Sequence, residues 1–562
     1  MQHAVVTPSH HSSGSTKFSR LANRVHSDLP PLSHCLAALV SAVVLIVSFP
    51  DFEIWPLAWI SLVPLLWLVA RNPKPWNNFL LGWIFGIVFF YFSCYWLTYS
   101  IIHTGGISPV IAFLLLIPGA ILLGIFPALF TLFVARIIKR WGPLSLLAAP
   151  LVWAALEWGR LEITGQLWNA IGYSQAYHPL LIQTAKFGGV YAVGFMIVWT
   201  NAAIAYLIVV RTKKATLISF VNFAAVGLVL LVFAVPGLRD TSAMVLTKPD
   251  LAVVAVQPNV PVEPIVDSKG PEALTTGHIA MSASALQTWE LTGQVDNFSQ
   301  GSVESDWAKD NSVEGREQIP RLVIWPESPM NFAYGSDDSL RAKLVPFARA
   351  NHTSLLLNSQ EIAPNDGIYN SALLINEQGS LVAQYDKIRL LPFGEYVPLP
   401  QWLPGTGLIR GIVGDFAPGT NYRLMPIGKI NAGVFICIES AYPSIARRFT
   451  AEGAAVLINI SNDGYLGPTP VMRQHLANAI FRAVENERPL LRVTNTGITA
   501  FISHRGVVLD ATQPFKPDLE IWTVTGRTGQ TFYTRFGDLF AVCCGLLSLT
   551  ILAVSFSRTR KV

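Results

Sequence analysis

Charge is what this sequence has least of. Asp, Glu, Lys and Arg make up 13% of its 562 residues, while hydrophobic residues make up 51%. Soluble chains carry about 25% charged residues, so the deficit excludes an ordinary string of water-soluble domains. The formal net charge of +5 does not point to nucleic acid. The basic residues sit in short clusters beside apolar runs, where they set membrane orientation. Cysteine is scarce too: of five, Cys35, Cys94, Cys543 and Cys544 lie within apolar runs. Only Cys437 falls in the long polar segment, which therefore has no internal disulfide and one thiol for either packing or chemistry.

What the chain does have is apolar length. Uncharged runs occupy residues 32–49, 54–70, 78–102, 107–135, 143–156, 187–210, 215–238 and 539–556. Crossing ~30 Å of hydrocarbon takes roughly 20 helical residues, and all but the short 143–156 run come near or exceed that. With the chain starting in the cytoplasm and all eight runs spanning, the short inner segments hold fourteen Lys/Arg and one acid, Asp28. The short outer segments (50–53, 103–106 and 157–186) hold two basic residues, Arg160 and Lys186. This positive-inside bias supports eight spans better than any single run does. The expected organisation is a disordered cytoplasmic tail (1–31) and seven transmembrane helices (32–238). A periplasmic domain (239–536) follows, then an eighth helix with a cytoplasmic C-terminus (537–562). The first run ends without a small-residue cleavage site, so no cleaved signal is expected.

The exported segment alternates short apolar runs with helical spacing, which argues for an α/β core. Strands are expected at 251–257, 322–325, 353–358, 372–375, 433–438 and 456–460, and helices at 341–350, 444–452 and 473–486. Residues 262–319, with ten acidic and three basic residues, read as a helix around 279–290 followed by a flexible surface loop.

Three reactive side chains fall where strands end: Glu327 after RLVIWP, Lys387 after LVAQYD, and Cys437 after AGVFI. Active sites of open α/β sheets gather at the strands' carboxyl ends. A thiol is mostly protonated at neutral pH, a carboxylate within reach can take its proton, and an ammonium stabilises the thiolate. Attack on an ester or amide then makes an oxyanion, for which Lys387 and the backbone N–H of Ile438 are the candidate donors. His475 is read as a packing or capping residue on its own helix.

The Glu–Lys–Cys set resembles the nitrilase, or carbon–nitrogen hydrolase, superfamily. The full pattern resembles the apolipoprotein N-acyltransferase family: WPES (325–328), YDKIRLLPFGEYVP (385–398), ICIES (436–440), SNDGYLG (461–467) and QHLANAIFRAVENERPLLRVTNTGITAFI (474–502). The resemblance implies a nitrilase α-β-β-α sandwich on an eight-helix membrane base. It implies Glu327 as general base, Lys387 as the lysine and Cys437 as the acylated nucleophile. Glu395 would support the lysine and Glu439 would order the site, with no metal or cofactor. The implied reaction moves an acyl chain from a phospholipid donor through a Cys437 thioester to the N-terminal diacylglyceryl-cysteine of an apolipoprotein. The implied setting is a monomer in the bacterial inner membrane. Two positions depart from the family: Ile438 stands where it has Tyr, and QPNVPVEPIV (257–266) lacks the family's Trp. Two other readings share these features, a membrane-tethered amidase or lipid hydrolase and a non-catalytic binder or transporter. Spans free of Asp, Glu, Lys and Arg weigh against transport, and the complete triad weighs against a mere binder.

Overall fold

The computed structural model describes residues 29–165, 167–239, 249–261, 270–292, 319–327, 332–364, 367–397 and 416–557. Most of the expected N-terminal tail, the loop expected after the 279–290 helix, and residues 262–266 of the Trp-less arm lie outside them.

Among the described residues eight α-helices precede the first strand: α1 (Leu32–Ile46), α2 (Val63–Arg71), α3 (Pro75–Ser93), α4 (Leu97–His103), α5 (Pro109–Trp141), α6 (Ala149–Thr164), α7 (Ala185–Val210) and α8 (Lys213–Arg239). Among the described residues six stretches are long and apolar enough to cross a membrane: Pro75–Ser93, Pro109–Trp141, Pro143–Thr164, Ala185–Val210, Lys213–Val235 and Leu539–Phe556. α1 and the segment Trp55–Arg71 are apolar but shorter. The 54–70 run is a 3-10 turn followed by the nine residues of α2. Each has Pro in its first two positions, Pro56 and Pro64, where the missing N–H costs nothing and a new helix starts readily.

Packing in this base follows membrane logic. Along α5 the side chains of Val110, Leu114 and Leu122 face outward while Ala112, Ala128 and Phe130 are buried. α3 and α5 approach through glycine: a Cβ on Gly86 would lie 2.8 Å from Gly124 Cα, the close backbone contact that small residues permit. α6 runs past the charge-free 143–156 stretch, so Glu157 and Arg160 lie on a helix and not in an outer loop. Both are buried and hydrogen-bonded, which is what makes their burial tolerable. Glu157 accepts from the Ile171 N–H at 2.7 Å, and Arg160 donates to the Trp168 carbonyl at 2.9 Å.

The remaining chain forms two six-stranded sheets. The strands are β1 (Leu251–Gln257), β2 (Arg321–Ile324), β3 (Ser354–Ile362), β4 (Ile368–Ile375), β5 (Leu381–Asp386), β6 (Met425–Ile427), β7 (Ile430–Ile436), β8 (Val456–Ser461), β9 (Leu490–Thr494), β10 (Ala500–Ile502), β11 (Val508–Leu509) and β12 (Asp518–Val524). Their orders are β12-β1-β2-β3-β4-β5 and β11-β10-β9-β8-β7-β6. Alternation with period two explains the layering. Val253, Ala255, Leu322, Ile324 and Leu374 share an apolar cluster with Val434, Ile436 and Ile458 of the second sheet. Their neighbours Val254, Val256, Val323 and Leu355 join a second cluster with residues of α9 (Gly270–Thr292) and α10 (Asp338–Ala350). The second sheet is covered by α11 (Pro443–Ala451) and α12 (Val471–Asn486), through Ile445, Phe449 and Ile480. A short helix, α13 (Phe532–Phe536), leads into α14 (Leu539–Phe556). The domain is therefore a nitrilase-like sandwich with two sheets.

α12 lies between sandwich and base. The Phe481 ring meets Tyr173 edge-on at 5.0 Å, and Gln474 Oε1 accepts from the indoles of Trp96 and Trp168 at 3.0 and 2.9 Å. Base and domain thus share one continuous apolar cluster. Each large side chain fully buried there is worth roughly 1.5–3 kcal/mol.

Candidate active site

The acid comes from the end of β2. Trp325 is 1% exposed, its N–H donates to the Leu356 carbonyl at 2.8 Å and its indole donates to Ser282 at 3.0 Å. Anchored so, it carries Pro326 and Glu327 off the sheet. One Glu327 oxygen accepts from Asn370 Nδ2 at 2.9 Å and meets Lys387 Nζ at 3.4 Å. The other accepts from the Asn462 N–H at 3.0 Å.

The cation comes from the end of β5. Lys387 is 1% exposed, and its Nζ donates to Glu395 Oε1 at 2.9 Å. Burial pushes its pKa down, but Glu327 and Glu395 outweigh it and hold the pKa well above the ordinary lysine value. Glu395 is itself fixed by the Leu391 N–H at 2.7 Å and by Asn370 Nδ2 at 2.8 Å. Asn370, in the middle of β4, thereby bridges both carboxylates.

The thiol comes from the end of β7. That strand stops at Ile436, one residue short of Cys437, which opens a 3-10 turn with φ of +51°. A left-handed non-glycine residue is strained by about 1–2 kcal/mol and persists only where its surroundings hold it. Glu439 is one such hold. Its carboxylate accepts from the Ile436 N–H at 2.8 Å, from Tyr385 Oη and the Ile388 N–H at 2.8 Å each, and from the Arg389 N–H at 3.0 Å. One buried side chain so ties the Cys437 turn to the segment that follows Lys387. Burial, then the charge of Glu327, push the Cys437 thiol well above its ordinary pKa, against the pull of Lys387. The resting sulfur therefore carries its proton.

Of the residues singled out from the sequence, Glu327, Lys387 and Glu395 meet directly. Glu439 braces Cys437 from below, and the side chain of Ile438 packs into the apolar cluster. His475 departs from expectation, because both its ring nitrogens face partners off α12: Asp463 Oδ1 at 2.9 Å and the Cys437 carbonyl at 3.0 Å. Asn370, Asn462 and Tyr385 escaped the sequence reading. The available signal was Asn370 itself, an amide inside the otherwise apolar IYNSALLI, since a buried amide costs about 1–3 kcal/mol unless hydrogen-bonded. Tyr465, in SNDGYLG, stands within the same electrostatic cluster, its phenol pushed up to about 12 by burial and by Glu327.

Fold and site together describe a carbon–nitrogen hydrolase domain built on an apolar helical base, and comparison with known proteins divides the chain in the same way. Residues 321–532 match the family model described as carbon-nitrogen hydrolase, and residues 41–203 match that of the apolipoprotein N-acyltransferase N-terminal domain. The apolipoprotein N-acyltransferase of Geobacter metallireducens is 30% identical over 546 residues, covering 94% of this chain and 97% of its own. Those of Rhizobium meliloti and Chlorobaculum tepidum are 26% and 27% identical, covering 93% and 92% of this chain and 97% and 96% of their own. The chain belongs to the apolipoprotein N-acyltransferase family.

Proposed function

We propose that the protein is a membrane-bound N-acyltransferase that moves an acyl chain from a phospholipid, through a thioester on Cys437, to the α-amine of an apolipoprotein's diacylglyceryl-cysteine. The observation that carries this reading is the buried Glu327–Lys387–Glu395 cluster acting on the thiol of Cys437. In the first half-reaction Glu327 takes the thiol proton as sulfur attacks the ester carbonyl. The oxyanion faces the Lys387 ammonium and the Ile438 N–H, and it collapses to the thioester. The departing lysophospholipid alkoxide leaves with the proton held by Glu327. In the second half-reaction the peptide's amine attacks the thioester, Glu327 accepts the amine's proton, and the thiolate leaves and is reprotonated. Because the resting thiol is protonated, its attack depends on a base such as Glu327 to take the proton.

On this reading the disposition is the one the charge pattern suggests. Residues 1–31 and the C-terminus are cytoplasmic, 32–238 supply seven spans and 537–562 the eighth, and 239–536 lie in the periplasm above the bacterial inner membrane. α1 and the Trp55–Arg71 segment are then the two short spans. A reporter fused at residue 300 should report the periplasm and one at the C-terminus the cytoplasm; a cytoplasmic signal at 300 overturns the eight-span arrangement.

The reaction itself is tested by incubating the purified protein with phospholipid alone and then adding a diacylated lipopeptide with a free amine. The expected result is an acyl adduct on Cys437 that persists until the peptide arrives and leaves as triacylated peptide. Free fatty acid released at a rate indifferent to the peptide would make the protein a lipid hydrolase instead.

A further inference from the structure

The Cys437 carbonyl is clamped from two sides. His475 Nε2 lies 3.0 Å from it, and Asn459 Nδ2 donates to it at 3.4 Å and to the Phe435 carbonyl at 3.2 Å. Both clamps are held from behind by one cation. Arg492 donates to Asn459 Oδ1 and, at 2.7 Å, to Asp463 Oδ2. Asp463 Oδ1 in turn meets His475 Nδ1 at 2.9 Å and accepts from Ser461 Oγ at 2.9 Å. Arg492 is fully buried, and Asp463 and His475 are each 2% exposed. From the membrane base, the Trp168 ring stands 5.7 Å from the imidazole.

The partners decide where the imidazole carries hydrogen. A carbonyl can only accept, so Nε2 must be protonated; the tautomer with hydrogen on Nδ1 alone would set two lone pairs against each other at 3.0 Å. Two states remain. In the cation, Nδ1–H donates to Asp463; in the neutral Nε2–H form, Nδ1 accepts from Arg492 Nη2, 3.1 Å away, but sets its lone pair against Asp463 Oδ1 at 2.9 Å. Burial and Arg492 favour the neutral form and Asp463 the charged one, with a net lowering of the pKa. Both states keep the Nε2 hydrogen on the carbonyl, so the clamp does not depend on the choice.

The Cys437 carbonyl and the Ile438 N–H belong to one planar trans peptide and point in opposite directions. Fixing the oxygen fixes where the N–H aims. We propose that His475, backed by Asp463 and Arg492, is a positioning residue: it holds the Cys437–Ile438 peptide so that the Ile438 N–H is directed at the oxyanion formed on the acylated carbonyl. This rests on the thioester reading above, which supplies the oxyanion.

The test exploits two reactions at the same sulfur. Acylation by phospholipid passes through an oxyanion, whereas alkylation by iodoacetamide does not. In His475→Gln the side-chain amide replaces the Nε2–H donor; His475→Met fills similar space with none. Expected is a loss of acylation kcat in His475→Met of about 10²-fold, the effect of losing one oxyanion donor, with KM for phospholipid and the alkylation rate unchanged. His475→Gln should recover most of the acylation rate. Equal acylation by the two variants, or alkylation that falls in step with acylation, overturns the proposal. Unfolding of both variants would assign His475 to stability and overturn it as well. The thioester reading is checked separately in the wild type, by the acyl mass on Cys437 and its loss in Cys437→Ala.

Discussion

The two sheets of the sandwich run through the same series of pairings and are filled differently. Read from β12 to β5, and from β6 to β11, the partners are antiparallel, parallel, parallel, antiparallel and antiparallel. In the first sheet the charges of the site, Glu327 and Lys387, stand just past the ends of β2 and β5. In the second, a full charge sits inside the sheet: Arg492, in β9, is 0% exposed, with fully buried Asn459 beside it in β8. The difference separates two uses of a buried charge. On the proposed mechanism Glu327 and Lys387 exchange a proton and meet an anion, whereas Arg492 is fully buried. It serves as a fixed post on which Asp463, Asn459 and His475 are hung. Burying a guanidinium is expensive, and here the return is a strained Cys437 turn held in one conformation.

That contrast can be broken most directly at the sulfur. Cys437→Ala should abolish acyl transfer altogether and leave unfolding unchanged, as read by the mass of the Cys437 peptide and by thermal melting in detergent. Any appreciable transfer by this variant removes the reason for comparing the sheets at all. Next in size, Arg492→Met should cost about 3–5 kcal/mol of stability, because it breaks a buried ion pair and leaves the Asp463 carboxylate with only His475 and Ser461; denaturant melts of the purified protein give the number. Lys387→Met also removes a buried partner, from Glu327 and Glu395, and should cost stability too. It should in addition slow thioester formation by roughly 10²–10³-fold per folded molecule, the effect of losing one oxyanion donor. If Lys387→Met melts lower than Arg492→Met, the division between a reacting sheet and a holding sheet fails.

Smaller effects sharpen the boundary. Asn370→Ala frees both Glu327 and Glu395 from their shared amide and should cost about 1–3 kcal/mol. Its thioester formation should slow while the melting temperature of the helical base, followed by its tryptophan signal, stays put. Tyr385→Phe deletes one of the four donors to Glu439 and should lower stability by about 1 kcal/mol. A rate loss there larger than the stability loss would show that Glu439 acts on the chemistry and not only on the turn beneath it.

The places of Glu327, Lys387 and Cys437 just past strand ends were legible from short apolar runs followed by reactive residues, and β1 was legible to the residue, because strands buried on both faces read as continuous hydrophobic stretches. The short edge strands β6 and β11 were not legible, since three and two residues are too few to show a period. The partners of Asn370 and His475 were not legible for another reason. An amide in β4 or an imidazole on α12 gains its role from groups such as Glu395 and the Cys437 carbonyl, which are far away along the chain and adjacent only after folding.

A membrane-bound α/β enzyme with Glu327, Lys387 and Cys437 at strand ends follows from composition, periodicity and motif alone, because apolar length and local order are properties of neighbouring residues. The span lengths followed only in part, since Pro56 and Pro64 restart helices within runs that look continuous. Tertiary structure alone decided that Glu157 and Arg160 are interior, that α12 joins base to sandwich, and that Arg492 stands behind the Cys437 carbonyl. Those outcomes depend on which surfaces meet, and a buried charge is tolerated only where the fold delivers its partner.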